Sequence, residues 1–227
     1  MSVKIGFSTF FFSNITVRDA IDRIAGIGVD AIELMYDLPH LDQFDQRLFS
    51  RIEELTGQGI RFSLHGPLFE VNLGSLFTDF RRFSLERFRA AIDAAAQMGC
   101  RTVVIHPGYS LLAERAAETA RKTRNNFYTD LNVLATYAAD RKITLGLENI
   151  HMPYFFFHDV GEFLAIKERV PSLGMTLDVG HAFVTKCQRG ERDPEGAILK
   201  DIENAGIENL VHVHLHNNDG AKDDHLL

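Results

Sequence analysis

Two cysteines, Cys100 and Cys187, are all that the 227 residues contain. That is too few for a disulfide framework and points to a reducing cytoplasm. No run of about 18 apolar residues occurs, which excludes a hydrophobic transmembrane helix and any membrane partner of that kind. The start, Met1-Ser2-Val3-Lys4-Ile5, enters a strand-like pattern without the apolar segment of a signal peptide. Positive charge is not in excess either: 24 Lys and Arg stand against 31 Asp and Glu, for a formal net charge of −7. Bulk charge therefore gives no reason to approach phosphate polymers, though a local basic patch would suffice. Linkers and low-complexity segments are missing, and no Gly-x-Gly-x-x-Gly follows the first strand, so a Rossmann reading is poorly supported. What remains, 45% hydrophobic and 24% charged, suits a single core; α/β barrels of about 250 residues commonly form one domain.

Strand and helix patterns alternate from end to end. Strands are expected at Lys4–Thr9, Ala31–Tyr36, Arg61–His65, Thr102–His106, Thr144–Asn149, Leu173–Asp178 and Leu210–His216. Helical spacing marks Thr16–Ile27, Asp45–Leu55, Arg81–Met98, Ala113–Arg141 (in one piece or two around Asn125-Asn126), Asp159–Val170 and Pro194–Ala205. Thr16 and Asp193 are candidate N-caps, and glycines close several helices. Units of roughly 30 residues fit a right-handed βα repeat, and seven of them predict a parallel α/β fold.

A closed barrel is favoured over an open doubly wound sheet by where the polar residues fall. Strands three to seven end in His65, His106, Glu148, Asp178 and the run His212-Val213-His214-Leu215-His216. In a barrel those ends form one rim, where barrel active sites sit. Alternation along the last strand puts its three imidazoles on one face, and rings with polar nitrogens are poor filling for a dry core. Two positions earlier on each strand stand Ser63, Val104, Gly146, Thr176 and His212, mostly small or β-branched, as a tapered interior layer requires. Singly, each strand-end residue has an ordinary structural reading, as a hydrogen-bonded histidine or, for Asp178, an N-cap. Five consecutive strands ending this way point instead to a metal site.

The set His65-Gly66-Pro67, His106-Pro107-Gly108, Gly146-Leu147-Glu148-Asn149, Leu177-Asp178-Val179-Gly180-His181, His214-Leu215-His216-Asn217 and Asp223-x-His225 resembles the xylose isomerase-like TIM-barrel superfamily. That superfamily contains sugar isomerases and epimerases and the endonuclease IV enzymes that cleave DNA at abasic sites. The resemblance spans essentially the whole chain as one domain, 1–227, and implies a (β/α)8 TIM barrel that is C-terminally incomplete here. The endonuclease IV pattern implies one metal on His65, His106 and Glu148, and a second shared by Glu148 with Asp178 and His214. It implies a third on His181, Asp223 and His225. The epimerase pattern implies a single metal on Glu148, Asp178 and His214, with His181 near the substrate. Both add a glutamate from an eighth strand, which would lie past Leu227. The expectation is therefore a fragment of a longer chain, or a partner chain, in a homo-oligomer, that closes the gap.

Mixed imidazole and carboxylate donors suit a divalent metal: zinc if several are bound, manganese, cobalt or magnesium if one. The leading function implied is isomerisation or epimerisation of a small sugar or sugar-like polyol through an enediolate, with Glu148 and His181 as catalytic residues. Glu33, His216, Phe156 and Asn149 are the expected substrate contacts, Glu33 having a second role open to it as a carboxylate that orients a ligand or forms a buried salt bridge. The aromatic runs Phe10-Phe11-Phe12 and Tyr154-Phe155-Phe156-Phe157 follow strands and belong on the rim, as a sugar-stacking surface or as loop packing. Nucleic acid is a partner only under the alternative, zinc-dependent cleavage at abasic sites. Rim cations are sparse for that task, mainly Arg81-Arg82 and Lys186 to Arg192. Where endonuclease IV has a tyrosine this chain has Leu68, whereas Asn72-Leu73-Gly74-Ser75 does look like that family's Asn-Leu-Ala-Ser. A third reading is a barrel without activity that binds a ligand or a partner.

Overall fold

The computed structural model describes residues 4–111 and 116–225. Met1 to Val3, and the Ala113 start expected for the fourth helix, lie outside the described residues. Seven strands form one sheet in chain order, every neighbouring pair parallel. They are β1 Gly6–Ser8, β2 Ala31–Met35, β3 Arg61–His65, β4 Thr102–Ile105, β5 Thr144–Glu148, β6 Gly174–Asp178 and β7 Leu210–His214. The helices are α1 Val17–Gly26, α2 Gln46–Gly57, α3 Thr78–Gln97, α4 Ala117–Ala139, α5 Phe163–Arg169, α6 Val179–Gln188 and α7 Pro194–Ala205.

Local chemistry sets the helix starts. Thr16 and Asp45 accept the backbone N–H of Asp19 and Leu48, capping α1 and α2. Asp193 caps α7 on Gly196, with Pro194 at the first turn, where its missing N–H costs nothing. Helix α4 runs unbroken through Asn125 and Asn126 because its inner face, Phe127, Leu131, Leu134 and Ala138, is continuous and buried. Packing outweighs the weak helix preference of two asparagines.

The strands alternate. Ile32, Leu34, Leu64, Val103, Ile105, Leu145, Leu147, Met175 and Leu177 point outward into the core shared with the helices. The residues between them point into the curl, which brings Glu33 of β2 within 3.1 Å of His212 on β7. The sheet thus curls without closing, and β1 and β7 are its edges among the described residues. Inside lies an open trough of about 2290 Å3, lined from rim to base. In β7, Leu210 pairs with Met175 but His212 pairs with Thr176, so Val211 is the extra residue of a bulge. The strand ends at His214. Only His212 and His214 share a strand face, and His216 belongs to the loop beyond.

Helix α6 is not among the expected helices, although the sequence marks Asp178 as a possible N-cap. It begins directly on the last residue of β6, with Asp178 as N-cap accepting from the His181 N–H at 2.7 Å. The signal was an N-cap carboxylate before a mixed run, masked by Val179 and Gly180, which are weak helix formers.

Candidate active site

Glu148 is the centre of the rim. It ends β5, is 2% exposed, and its two oxygens face different imidazoles. Oε2 lies 3.3 Å from His65 Nε2 and 3.2 Å from His106 Nε2. Oε1 lies 3.1 Å from His214 Nδ1 and 3.7 Å from His181 Nδ1. Burial opposes its charge, but the surrounding imidazoles, His214 and His106 foremost, hold its carboxyl well below the usual range. Glu33 is ionised on the same terms, between His214 and His212.

The imidazoles respond in kind. Burial opposes their protonation too, yet carboxylates raise His65, His214 and His181, the last to about 9. His106 goes the other way, burial pushing it down more than its Glu148 partner pushes it up. The rim concentrates negative charge that protons on these rings, or a cation, can balance.

Three rings are anchored through one nitrogen, and the other faces a carboxylate, Glu148 for His65 and His214 and Asp223 for His181. His65 Nδ1 donates to the Gly66 carbonyl at 2.9 Å, and His181 Nδ1 to the Asn149 carbonyl at 2.8 Å. His214 Nε2 donates to Glu33 Oε2 at 3.0 Å. The tail closes over the rim: His181 Nε2 and His225 Nε2 each lie 3.1 Å from Asp223. His216 Nε2 donates to Asp178 Oδ1 at 3.1 Å. His216 Nδ1 is buried without a hydrogen-bond partner. Among the described residues, four groups bring potential donor atoms within 4.8 Å of one another. They are His65–His106–Glu148, Glu148–Asp178–His214, His181–His216–Asp223–His225 and Glu33–His212–His214. The carboxylate and imidazole donors fit divalent zinc, manganese or cobalt.

All eight residues expected as ligands, His65, His106, Glu148, Asp178, His181, His214, Asp223 and His225, therefore come together. The expected substrate contacts fare differently. Asn149 is fully buried and spends its side chain on β6, Nδ2 donating to the Asp178 carbonyl and Oδ1 accepting the Asp178 N–H. Phe156 is 2% exposed and packs on Phe127 in the core; the neighbouring Phe155 lines the trough instead. His216 joins the tail group, and Glu33 is occupied by two histidines. Lys186, read as a rim cation, is buried between Asp159 and Asp201. His151, on the loop after β5, stands 5.2 Å from His181 ring to ring. Sequence spacing could not place Asn149 or Phe156, because both sides of a loop residue look alike without the partner it packs on.

A family model described as xylose isomerase-like TIM barrel matches residues 21–226. The uncharacterized protein MJ1311 of Methanocaldococcus jannaschii is 27% identical over 232 residues, covering 100% of this chain and 74% of that protein. A crystal structure of a D-tagatose 3-epimerase-like protein is similar with a TM-score of 0.81 and 25% identity, covering 98% of this chain and 79% of that one. A D-psicose 3-epimerase crystallised in the presence of D-fructose follows at a TM-score of 0.74 and 20% identity, covering 94% and 73%. Among the described residues no helix is long and apolar enough to cross a membrane. The chain belongs to the xylose isomerase-like TIM-barrel family.

Proposed function

We propose that this protein is a divalent-metal-dependent isomerase or epimerase of a small, sugar-like ketose or polyol. The observation that carries the reading is the wall of the trough. Around the carboxylate and imidazole cluster it presents Phe10, Phe11, Met152, Phe155 and Phe183, and its cations, Lys4, Arg61 and Arg101, precede or open strands at the opposite end. Apolar and aromatic surface beside a polar cluster suits the two-sided character of a sugar. A grip on DNA phosphates needs Lys and Arg at the rim itself. The likeness to a D-tagatose 3-epimerase-like protein supports the same reading.

Glu148, Asp178 and His214 are the residues that would hold the cation nearest the trough, with His65 and His106 on the far oxygen of Glu148. When bound, it polarises a substrate carbonyl or hydroxyl and acidifies the adjacent C–H. Glu148, ionised and screened from water, takes that proton and returns it, to the neighbouring carbon in an isomerisation. Inversion at one carbon asks for a second acid–base group on the other face of the substrate. His181, fixed by the Asn149 carbonyl and paired through Nε2 with Asp223, is the group whose proton would reach a substrate hydroxyl once that pair opens.

The tail group favours a second reading. Four donors on His181, His216, Asp223 and His225 give a further cation position, and clustered metals activate water against a phosphodiester. Incubating the zinc-, manganese- or cobalt-loaded protein with a ketose panel, and with a duplex carrying an abasic site, separates the two. Sugar conversion that Glu148→Gln abolishes is expected; strand cleavage without any sugar conversion overturns the ranking.

A further inference from the structure

His214 differs from the other anchored histidines of the rim in what holds it. His65 and His181 are fixed by backbone carbonyls, Gly66 and Asn149. His214 sits on β7, an edge strand hydrogen-bonded on one side only among the described residues. Its outer nitrogen is held by a side chain 181 residues earlier in the sequence, Glu33, across the trough. Glu33 is 7% exposed, and the oxygen that accepts from His214 also lies 3.1 Å from His212 Nε2. A carboxylate this enclosed reaches into the trough for a reason, since two exposed residues would have made a cheaper pair.

We propose that Glu33 is the positioning residue for His214. By accepting the Nε2–H it leaves Nδ1, which faces Glu148 and Asp178, as the nitrogen that would bind a cation in place of its proton, while His212 pins the carboxylate in place. The proposal rests on the reading that Glu148, Asp178 and His214 hold a divalent cation, and it adds which nitrogen of His214 does so and why. A carboxylate on the outer N–H of a metal-binding imidazole fixes its orientation and raises its basicity, and loss of such a partner typically weakens metal binding about 10–100-fold. Glu33 thereby leaves the list of substrate contacts and couples β2 to β7 through the site.

Zinc alone is the probe. In the zinc-loaded wild-type protein, nitrogen-15 spectra of the histidine rings are expected to show His214 metallated on Nδ1 with Nε2 protonated. Glu33→Gln keeps the shape but turns an amide N–H toward one of the two rings. Its zinc affinity, measured against a chromophoric chelator, is expected to fall about 10–100-fold at one position, and its metal-free melting temperature to fall as well, because a buried pair is broken. A purely structural Glu33 would leave the zinc affinity of the folded variant unchanged; that result overturns the proposal. If the variant does not fold, the wild-type spectrum decides, and His214 metallated on Nε2 overturns it equally. Zinc bound with the opposite nitrogen removes this proposal alone, whereas a wild-type protein that takes up no zinc, manganese or cobalt removes the metal reading with it.

Discussion

Glu148 Oε1 lies 3.1 Å from His214 Nδ1, although 66 residues and the whole of β6 separate the two. The same carboxylate reaches His65 and His106 with its other oxygen. One side chain is therefore common to the groups His65–His106–Glu148 and Glu148–Asp178–His214, and the tail group does not include it.

Replacing Glu148 by Gln should accordingly empty both inner groups and spare the tail. Turnover is expected to fall about 10²–10⁴-fold, the usual contribution of a positioned acid–base group, and more if the metal is lost as well. Metal content by mass spectrometry checks this. A variant with full wild-type content would show that Glu148 is not the shared ligand.

The metal-free protein should lose stability in mild alkali. His181 is raised from 6.5 to about 9, against burial, by Asp223 first and then Asp178 and Glu148. A group whose folded pKa is raised stabilises fully below its unfolded value, and that contribution disappears as the pH climbs through the folded one. His214 and His65 act in the same direction. Asp223 and Glu148, held low, keep their contribution at neutral pH and lose it only when the pH falls far into acid. With chelator present, the melting temperature should drop between pH 6.5 and about 9. With metal it should not, because binding displaces those protons.

Gly180 makes room for the tail. It lies in the first turn of α6, and a Cβ there would run into the ring of His216. Gly180→Ala should push His216 off Asp178 at a cost of about 1–3 kcal/mol for overpacking. Faster amide exchange over residues 216–225, with the inner groups still loading metal, is the expected signature.

Lys186 holds α6 against its neighbours rather than gripping a ligand. Its ammonium lies 3.0 Å from Asp159 and 2.5 Å from Asp201, and Arg189 also pairs with Asp159. Lys186→Met leaves two acids facing each other in a largely dry environment, and breaking a buried pair of this kind costs about 3–5 kcal/mol. Urea denaturation measures it; an unchanged midpoint would show that Arg189 alone satisfies the pair.

Much of this arrangement could be read from the chain because strand ends in a parallel βα repeat converge on one rim. His65, Glu148 and Asp178 needed only the strand period to be placed there. His216 shows the limit. Alternation put it on the strand with His212 and His214, but β7 ends at His214, and the loop carries its ring to Asp178 and Asp223. Glu33 shows another limit: the sequence could turn it inward, but not reveal that β2 and β7 approach closely enough for two histidines to claim it. Phe156 and Phe155 share a loop and a residue type, and only packing against Phe127 decides which becomes core.

In the proposed reaction Glu148 moves a proton at a carbon beside a carbonyl. Incubating the metal-loaded protein with D-tagatose, D-psicose or D-fructose in heavy water, with proton NMR of the recovered sugar, reads that step directly. Deuterium appearing at the carbon next to the carbonyl, dependent on metal and absent with Glu148→Gln, is the expected result. No exchange into any ketose, together with nicking of an abasic duplex by the same preparation, would contradict it.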